Sequence, residues 1–264
     1  MESDSERVTE IHELVRERYA GIVKGKGGCC SPGSCGEAKD SESLKIGYTR
    51  EETEAVPEGA DLGLGCGTPL LYAGIREGMT ILDLGSGGGF DVFLAARKVG
   101  KGGHVIGVDM TPEMVAKARE NARKSSMDNV EFRLGEIESL PVADDSVDVV
   151  ISNCVLNLSP DKPRVFAEVL RVLKPGGRVA ISDVVARFDL PEDIRHNPAL
   201  YTGCMAGAET LEQLDVILRT LGFKDVRITP KEESRSFIST WAPGTDIADC
   251  VVSAMIEGRK PEAG

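Results

Sequence analysis

The chain has 264 residues, 41% of them hydrophobic and 28% charged, and a formal net charge of −12. That length buries a full core as one α/β domain, alone or with a smaller appendage. The negative charge, with no compensating basic block, excludes a nucleic-acid or anionic-lipid partner and favours a small or neutral ligand. No apolar run approaches the roughly 18 residues of a membrane span. The polar, acidic stretch from Met1 to Glu10 has no signal-peptide core, so the reading places the chain in the cytoplasm with no membrane partner.

In chain order, residues 4–20 carry Val8, Ile11, Leu14, Val15 and Tyr19 at helical spacing, which predicts an amphipathic helix. Lys24 to Ser43 is rich in Gly, Ser and Cys and reads as an irregular, mobile loop. Gly59-Ala60-Asp61-Leu62-Gly63-Leu64-Gly65-Cys66-Gly67 sets four glycines around one cysteine and predicts a close-packed turn. From Met79 the pattern becomes regular. Apolar runs at 79–84, 104–108, 129–133, 147–152 and 178–185 read as strands, with helices between them near 88–99, 112–124 and 161–173. Lys174-Pro175-Gly176-Gly177 is a turn. Beyond Arg187, 210–221 reads as a helix, 224–229 and 235–241 as strands, and 246–257 as a last helix.

This alternation predicts a doubly wound, mostly parallel α/β sheet. It divides the chain into a Cys/Gly-rich N-terminal arm (1–69), a nucleotide-binding Rossmann-like domain (70–186) and a smaller C-terminal α+β appendage (187–264). The seven cysteines are Cys29, Cys30, Cys35, Cys66, Cys154, Cys204 and Cys250. Their odd number argues against a fully paired disulfide framework, and in a reducing compartment such thiols are buried, metal-binding or redox-active.

The segment Ile81 to Gly89 ends a strand and opens a helix on closely spaced glycines, where the backbone turns sharply and approaches a ligand. Dinucleotide folds want G-x-G-x-x-G beside a pyrophosphate. Here the spacing is G-x-G-x-G, and Asp83 stands two residues before it. A carboxylate there disfavours a diphosphate and suits a cationic amino group. Asp109 closes the next strand about 20 residues beyond the loop, where a carboxylate accepts ribose hydroxyls. Asp83 to Gly89, Asp109, Gly135-Glu136-Ile137-Glu138, Asp148 to Asn153 and Leu173 to Gly177 together resemble the successive motifs of class I methyltransferases. The resemblance implies S-adenosylmethionine as cofactor. It sets Asp83, Gly85 and Gly87 at the methionine end, Asp109 at the ribose, and Met110, Glu136 and Ile137 at the adenine, with Ser86 and Asn153 in the same binding set.

Ligands of open parallel sheets bind at strand carboxyl ends where strand order reverses, so Asn153-Cys154 emerges beside the glycine loop. A lone Cys154 is as well read as a small buried hydrophobe. The contexts of Cys66, Cys154 and Cys204 (Asp61 to Pro69, Ile151 to Leu158, Leu200 to Ala208) together resemble the arsenite S-adenosylmethionine methyltransferases. By that resemblance Cys154 and Cys204 bind trivalent arsenic directly, and Cys66 joins the site or its redox cycle. A cysteine of the N-terminal loop, Cys30 or its neighbours Cys29 and Cys35, is then the disulfide partner, and thioredoxin or glutathione the reductant.

The chemistry suits these residue types. Trivalent arsenic is thiophilic, and its lone pair, aimed at the methyl–sulfonium axis, needs no general base. His12, His104 and His196 accordingly read as solvated or structural. Three cysteines at 29, 30 and 35 fall one ligand short of a zinc site, and Cys250 reads as a packed thiol. Two alternatives stand beside this reading. One is a methyltransferase of a small carbon or oxygen nucleophile, such as a quinone or sterol precursor. The other is a non-catalytic, thiol-based metalloid-binding protein.

Overall fold

The computed structural model describes residues 4–25, 42–242 and 244–263. Cys29, Cys30 and Cys35, and most of the predicted loop from Lys24 to Ser43, lie outside the described residues. Helix α1 (Asp4–Val23) is followed by two short helices, α2 (Glu42–Lys45) and α3 (Arg50–Ala55). The strands are β1 (Thr80–Leu84), β2 (His104–Asp109), β3 (Val130–Leu134), β4 (Val147–Asn153), β5 (Leu173–Ala186), β6 (Lys224–Lys231) and β7 (Val251–Arg259). Helices α4 (Phe90–Val99), α5 (Pro112–Ser125) and α6 (Lys162–Val172) connect the parallel strands. Helices α7 (Glu192–Arg195), α8 (Pro198–Thr202) and α9 (Leu211–Leu221) follow β5, and α10 (Arg235–Ile238) and α11 (Ile247–Cys250) lie between β6 and β7.

All seven strands form one sheet in the order β3-β2-β1-β4-β5-β7-β6. The first five run parallel, and β7 pairs antiparallel with both β5 and β6. The central strands are continuous apolar runs because helices cover both faces. On one face α6 and α9 bury Val165, Phe166, Val169, Leu214 and Leu218. On the other, α4 and α5 bury Val92, Phe93, Ala96, Val115 and Ala118. Phe93 and Phe166 are each fully buried, and side chains of that size contribute about 1.5–3 kcal/mol apiece. Helix α9 starts on a capping box in which Thr210 and Gln213 each bond the other's backbone N–H. A third apolar cluster gathers Val15 of α1, Cys66, Cys154, Leu200, Cys204, Ile238 and Val251.

Two expectations beyond Arg187 are corrected. The stretch 235–241, read as a strand, is instead α10 and the turn after it. Its apolar positions pair at i and i+4, with the Phe237 and Trp241 rings 5.5 Å apart. The stretch 246–257, read as a helix, is helical only through Cys250 and then becomes β7. Because β7 sits between β5 and β6, its first six residues are all buried. That removes the polar alternation by which a strand is told from a helix. The turn Lys174-Pro175-Gly176-Gly177 lies inside β5 as an irregularity: Leu173 pairs with Val147, and the next pair is Arg178 with Val149.

Candidate functional site

Strand β1 pairs with β2 on one side and β4 on the other, so strand order reverses between β1 and β4. A cavity of about 420 Å³ opens where the loops after β1, β2 and β4 meet, a size ordinary for a small-molecule site. The glycine loop forms its floor. Gly85 has φ +66, and a Cβ there would meet the Val155 side chain at 2.4 Å, so the loop closes against the segment after β4 only without a side chain. Asp109 at the end of β2 braces this loop, accepting from Gly87 N at 2.9 Å and Thr111 N at 2.8 Å.

Three carboxylates border the cavity behind the loop. Asp91 accepts from the Tyr48 hydroxyl at 2.7 Å, and burial pushes its pKa up to about 6. Asp83 is 4% exposed, and among the described residues no donor pairs with it. Burial, with Asp91 and Asp109 close by, holds its carboxyl well above the ordinary carboxylate value. A buried carboxylate facing a cavity, unpaired and surrounded by its own sign, is the counter-charge that an ammonium group needs. The residues present therefore fit the amino-acid end of S-adenosylmethionine.

Asp83, Gly85, Ser86, Gly87, Asp109, Met110, Ile137 and Asn153 all line this cavity. Glu136 does not. Its carboxylate accepts from Arg16 at 2.5 Å and stands 3.5 Å from His12, so α1 engages the group expected at the adenine. Helix α1 itself is a wall of the cavity through His12, Val15 and Tyr19, a role its amphipathic stripe alone does not distinguish from core packing. Trp241 and Thr245, from the segment after α10, line it too. His12 is buried, bonded to Glu138 at 3.2 Å; that bond holds its pKa above 6.5 against the lowering effect of burial.

The three thiols singled out in the sequence come together at one end of the cavity. Cys154 and Cys204 line it, and Cys66 lies just behind them at 1% exposure. The Cys66 and Cys154 sulfurs lie within 4.8 Å of each other. The neighbouring Cys204 thiol first and the Cys66 thiol second, together with burial, raise the Cys154 pKa well above the ordinary thiol value. Cys204 Sγ donates to the Cys154 carbonyl at 2.8 Å, and the Tyr19 hydroxyl of α1 lies 3.7 Å from Cys204 Sγ. Both cavity thiols sit in left-handed backbone, Cys154 at φ +60 and Cys204 at φ +62, a conformation that a non-glycine residue adopts at functional sites at a cost of about 1–3 kcal/mol. All four described cysteines are free thiols, and Cys250 donates to Asp246 O at 3.5 Å.

Asp183 of β5, which the sequence reading passed over, belongs to the same place. One carboxylate oxygen and the Cys66 and Cys154 sulfurs lie within 4.8 Å of one another. Its acceptor capacity is already used: Oδ2 accepts from Val155 N and Leu156 N, Oδ1 from Asn157 Nδ2 and Val184 N. A carboxylate offers about four lone-pair sites, so Asp183 anchors the Cys154 loop and leaves the soft ligation to sulfur.

Known proteins resemble this chain over most of its length. A family described as a methyltransferase domain matches residues 75–233. An arsenite methyltransferase of Halobacterium salinarum is 55% identical, over 96% of this chain and 67% of that protein. One from Aquipseudomonas alcaligenes is 37% identical, over 83% of this chain and 63% of that protein. The chain thus spans about two thirds of the length of these relatives. The crystal structure of an arsenic (III) S-adenosylmethionine methyltransferase from Chlamydomonas reinhardtii superimposes with a TM-score of 0.63 at 35% identity, covering 86% of this chain and 75% of that one. With a thiol trio beside a glycine-loop cavity and these relatives over most of its length, the chain belongs to the arsenite methyltransferase family, within the S-adenosylmethionine-dependent class I methyltransferases.

Proposed function

We propose that this protein transfers a methyl group from S-adenosylmethionine to trivalent arsenic held as a thiolate adduct by Cys154, Cys204 and Cys66. The observation that carries the reading is that the free thiols Cys154 and Cys204, from separate segments, line the cavity that also holds the unpaired Asp83, with the Cys66 sulfur within 4.8 Å of that of Cys154. The cofactor supplies an electrophilic methyl on a sulfonium. Asp83 fixes its cationic end, and the glycine loop, braced by Asp109, shapes the floor beneath it. The thiols exchange the hydroxyls of arsenite for sulfur, releasing water and leaving a lone pair on arsenic that carries no proton. The buried setting, at 1–9% exposure for the three cysteines, excludes bulk water, and positioning of the two reactants does the catalytic work.

Methylation raises arsenic formally to the pentavalent state. In the proposed relay, a thiol of the N-terminal loop, Cys30 or its neighbours Cys29 and Cys35, attacks the arsenic-bound sulfur of Cys66. The disulfide forms, the Cys66–arsenic bond breaks with its electron pair returning to arsenic, which becomes trivalent again, and one proton is released. Thioredoxin or glutathione then restores the thiols by exchange. The test is to incubate the protein with arsenite, S-adenosylmethionine and a dithiol and to identify methylated arsenicals by mass. The expected result is methylated arsenic with stoichiometric S-adenosylhomocysteine, abolished in Cys154→Ser. Arsenite binding with no S-adenosylhomocysteine would overturn the enzyme reading, and full multiple-turnover activity in Cys66→Ser would overturn the relay.

A further inference from the structure

Cys66, Cys154 and Cys204 come from three segments that are remote in sequence and belong to no common element. Something must set their spacing. The two asparagines that bracket Cys154 bond the backbone of both other segments.

Asn153, the last residue of β4, holds the Cys66 turn with one amide. Its Oδ1 accepts from Cys66 N at 2.9 Å, and its Nδ2 donates to Gly67 O at 2.8 Å. The same Nδ2 lies 3.0 Å from the Tyr48 hydroxyl, which is itself committed to Asp91. One side chain therefore pairs with consecutive backbone groups on both sides of the Cys66 side chain, as a neighbouring strand would. Gly65 permits the approach: its φ is +135, and a Cβ there would lie 2.9 Å from Asn153 Nδ2. Asn153 also lines the cavity, so its amide stands between the Cys66 turn and the proposed cofactor site.

Asn157, three residues beyond Cys154 and 2% exposed, does the same toward the other segment. Its Nδ2 donates to Cys204 O at 3.0 Å, Val184 O at 2.6 Å and Asp183 Oδ1 at 3.0 Å. Three acceptors around one nitrogen identify that atom as the amide nitrogen. The group ties the Cys204 turn to β5, whose Asp183 in turn anchors the loop after Cys154. Gly207 permits this approach as well, since a Cβ there would collide with the Asn157 carbonyl oxygen.

We infer that Asn153 and Asn157 are positioning residues that register the thiol trio, Asn153 placing Cys66 and Asn157 placing Cys204 against the common partner Cys154. The inference deepens the proposed function, because it assigns which group sets each sulfur of that same site. Buried partners of ligands act on affinity through ligand geometry, commonly by about 10–100-fold. Each asparagine therefore governs one sulfur through the backbone of that cysteine's own segment.

The test counts sulfurs with Cd²⁺, whose charge-transfer absorbance with thiolate grows with each sulfur bound. It needs neither arsenic nor S-adenosylmethionine, so failure of the methylation reading and failure of this one are separable. In the full chain with Cys29, Cys30, Cys35 and Cys250 replaced by serine, the expected count is three. Asn153→Ala and Asn157→Ala are each expected to lower it to two, with Cd²⁺ affinity down by about 10–100-fold. Adding Cys66→Ser to Asn153→Ala changes nothing further, whereas adding Cys204→Ser removes another sulfur. In Asn157→Ala the two additions exchange their effects. A merely structural role lowers stability without this exchange. Where an alanine variant does not fold, Asn153→Ser or Asn157→Ser takes its place. Three sulfurs retained in either folded variant, or the same sulfur lost in both, would overturn the assignment.

Discussion

At the scale of the residue, buried carboxyls and two left-handed cysteines meet where chemistry is proposed. Asp83 is a buried carboxyl whose folded pKa lies well above its ordinary value of 3.8. Its contribution to stability is therefore full below that ordinary value and lost as pH rises toward the raised one. Neutralising it removes the loss, so Asp83→Asn is expected to raise the melting temperature of the ligand-free protein at neutral pH. By the proposed role, the same substitution also deletes a charge-assisted bond to the cofactor's amino group worth about 1.5–3 kcal/mol, an expected rise of roughly 10–100-fold in the Kd for S-adenosylmethionine, read by calorimetry. A lower melting temperature with unchanged affinity would contradict both roles. Cys204 supplies the complementary case. Its left-handed backbone at φ +62 costs any side-chain-bearing residue roughly 1–2 kcal/mol. Cys204→Gly is accordingly expected to be more stable than Cys204→Ala by about 1 kcal/mol in urea titrations, although both lose the thiol. No residue pattern announces a left-handed cysteine, and the strain is visible only in the coordinates.

At the scale of the element, α1 joins the two ends of the cavity. His12 and Arg16 engage Glu138 and Glu136 near the glycine-loop side, and Tyr19 reaches Cys204 at the thiol side. Salts of Glu with a cationic imidazole hold only while the ring is charged. Because the folded His12 pKa is raised above 6.5, its stabilisation is fully present below that value and is lost as pH rises through the raised one. Protection of the α1 amides, corrected for the intrinsic pH dependence of exchange, is expected to fall over that interval and to lose its pH dependence in His12→Gln. The sequence shows how unevenly such elements can be read. The five parallel strands and their connecting helices are legible because apolar stretches of strand length, alternating in the edge strand β3, are separated by helix-length segments, α5 and α6 among them carrying a one-sided stripe. Strand β7 is not, since neighbours on both sides and cover on both faces erase its alternation. The segment 235–241 misleads in the opposite direction, as Phe237, Ile238 and Trp241 suggest a short apolar strand, yet Phe237 and Trp241 stack at i and i+4. The helix α1 is legible as a helix, but its placement across the cavity depends on partners more than a hundred residues away, Glu136 and Glu138.

At the scale of the whole molecule, the three cysteines are legible as a set only through their flanking segments, whereas the asparagines and Asp183 that seat them look like ordinary loop and strand residues. The glycine-loop cavity is lined by residues from α1 to Thr245 around the ends of one sheet, so a bound ligand acts on the stability of the fold as a whole. S-adenosylhomocysteine at about 100 times its Kd contributes about 2.7 kcal/mol, which for a chain of this size raises the melting temperature by roughly 5–10 °C. A scan with and without ligand checks this, and a shift below about 1 °C would mean that the cavity does not hold the nucleoside. The antiparallel insertion of β7 between β5 and β6 has a consequence for synthesis. Ser253 of β7 donates to the Cys66 carbonyl at 2.8 Å, and β7 supplies the pairing edge for both neighbours. A nascent chain emerging from the ribosome carries all three sulfurs long before it carries that strand. The Cys66 turn therefore gains this support only once β7 has been made, so the geometry of the proposed thiol site waits on a strand synthesised after all three of its cysteines.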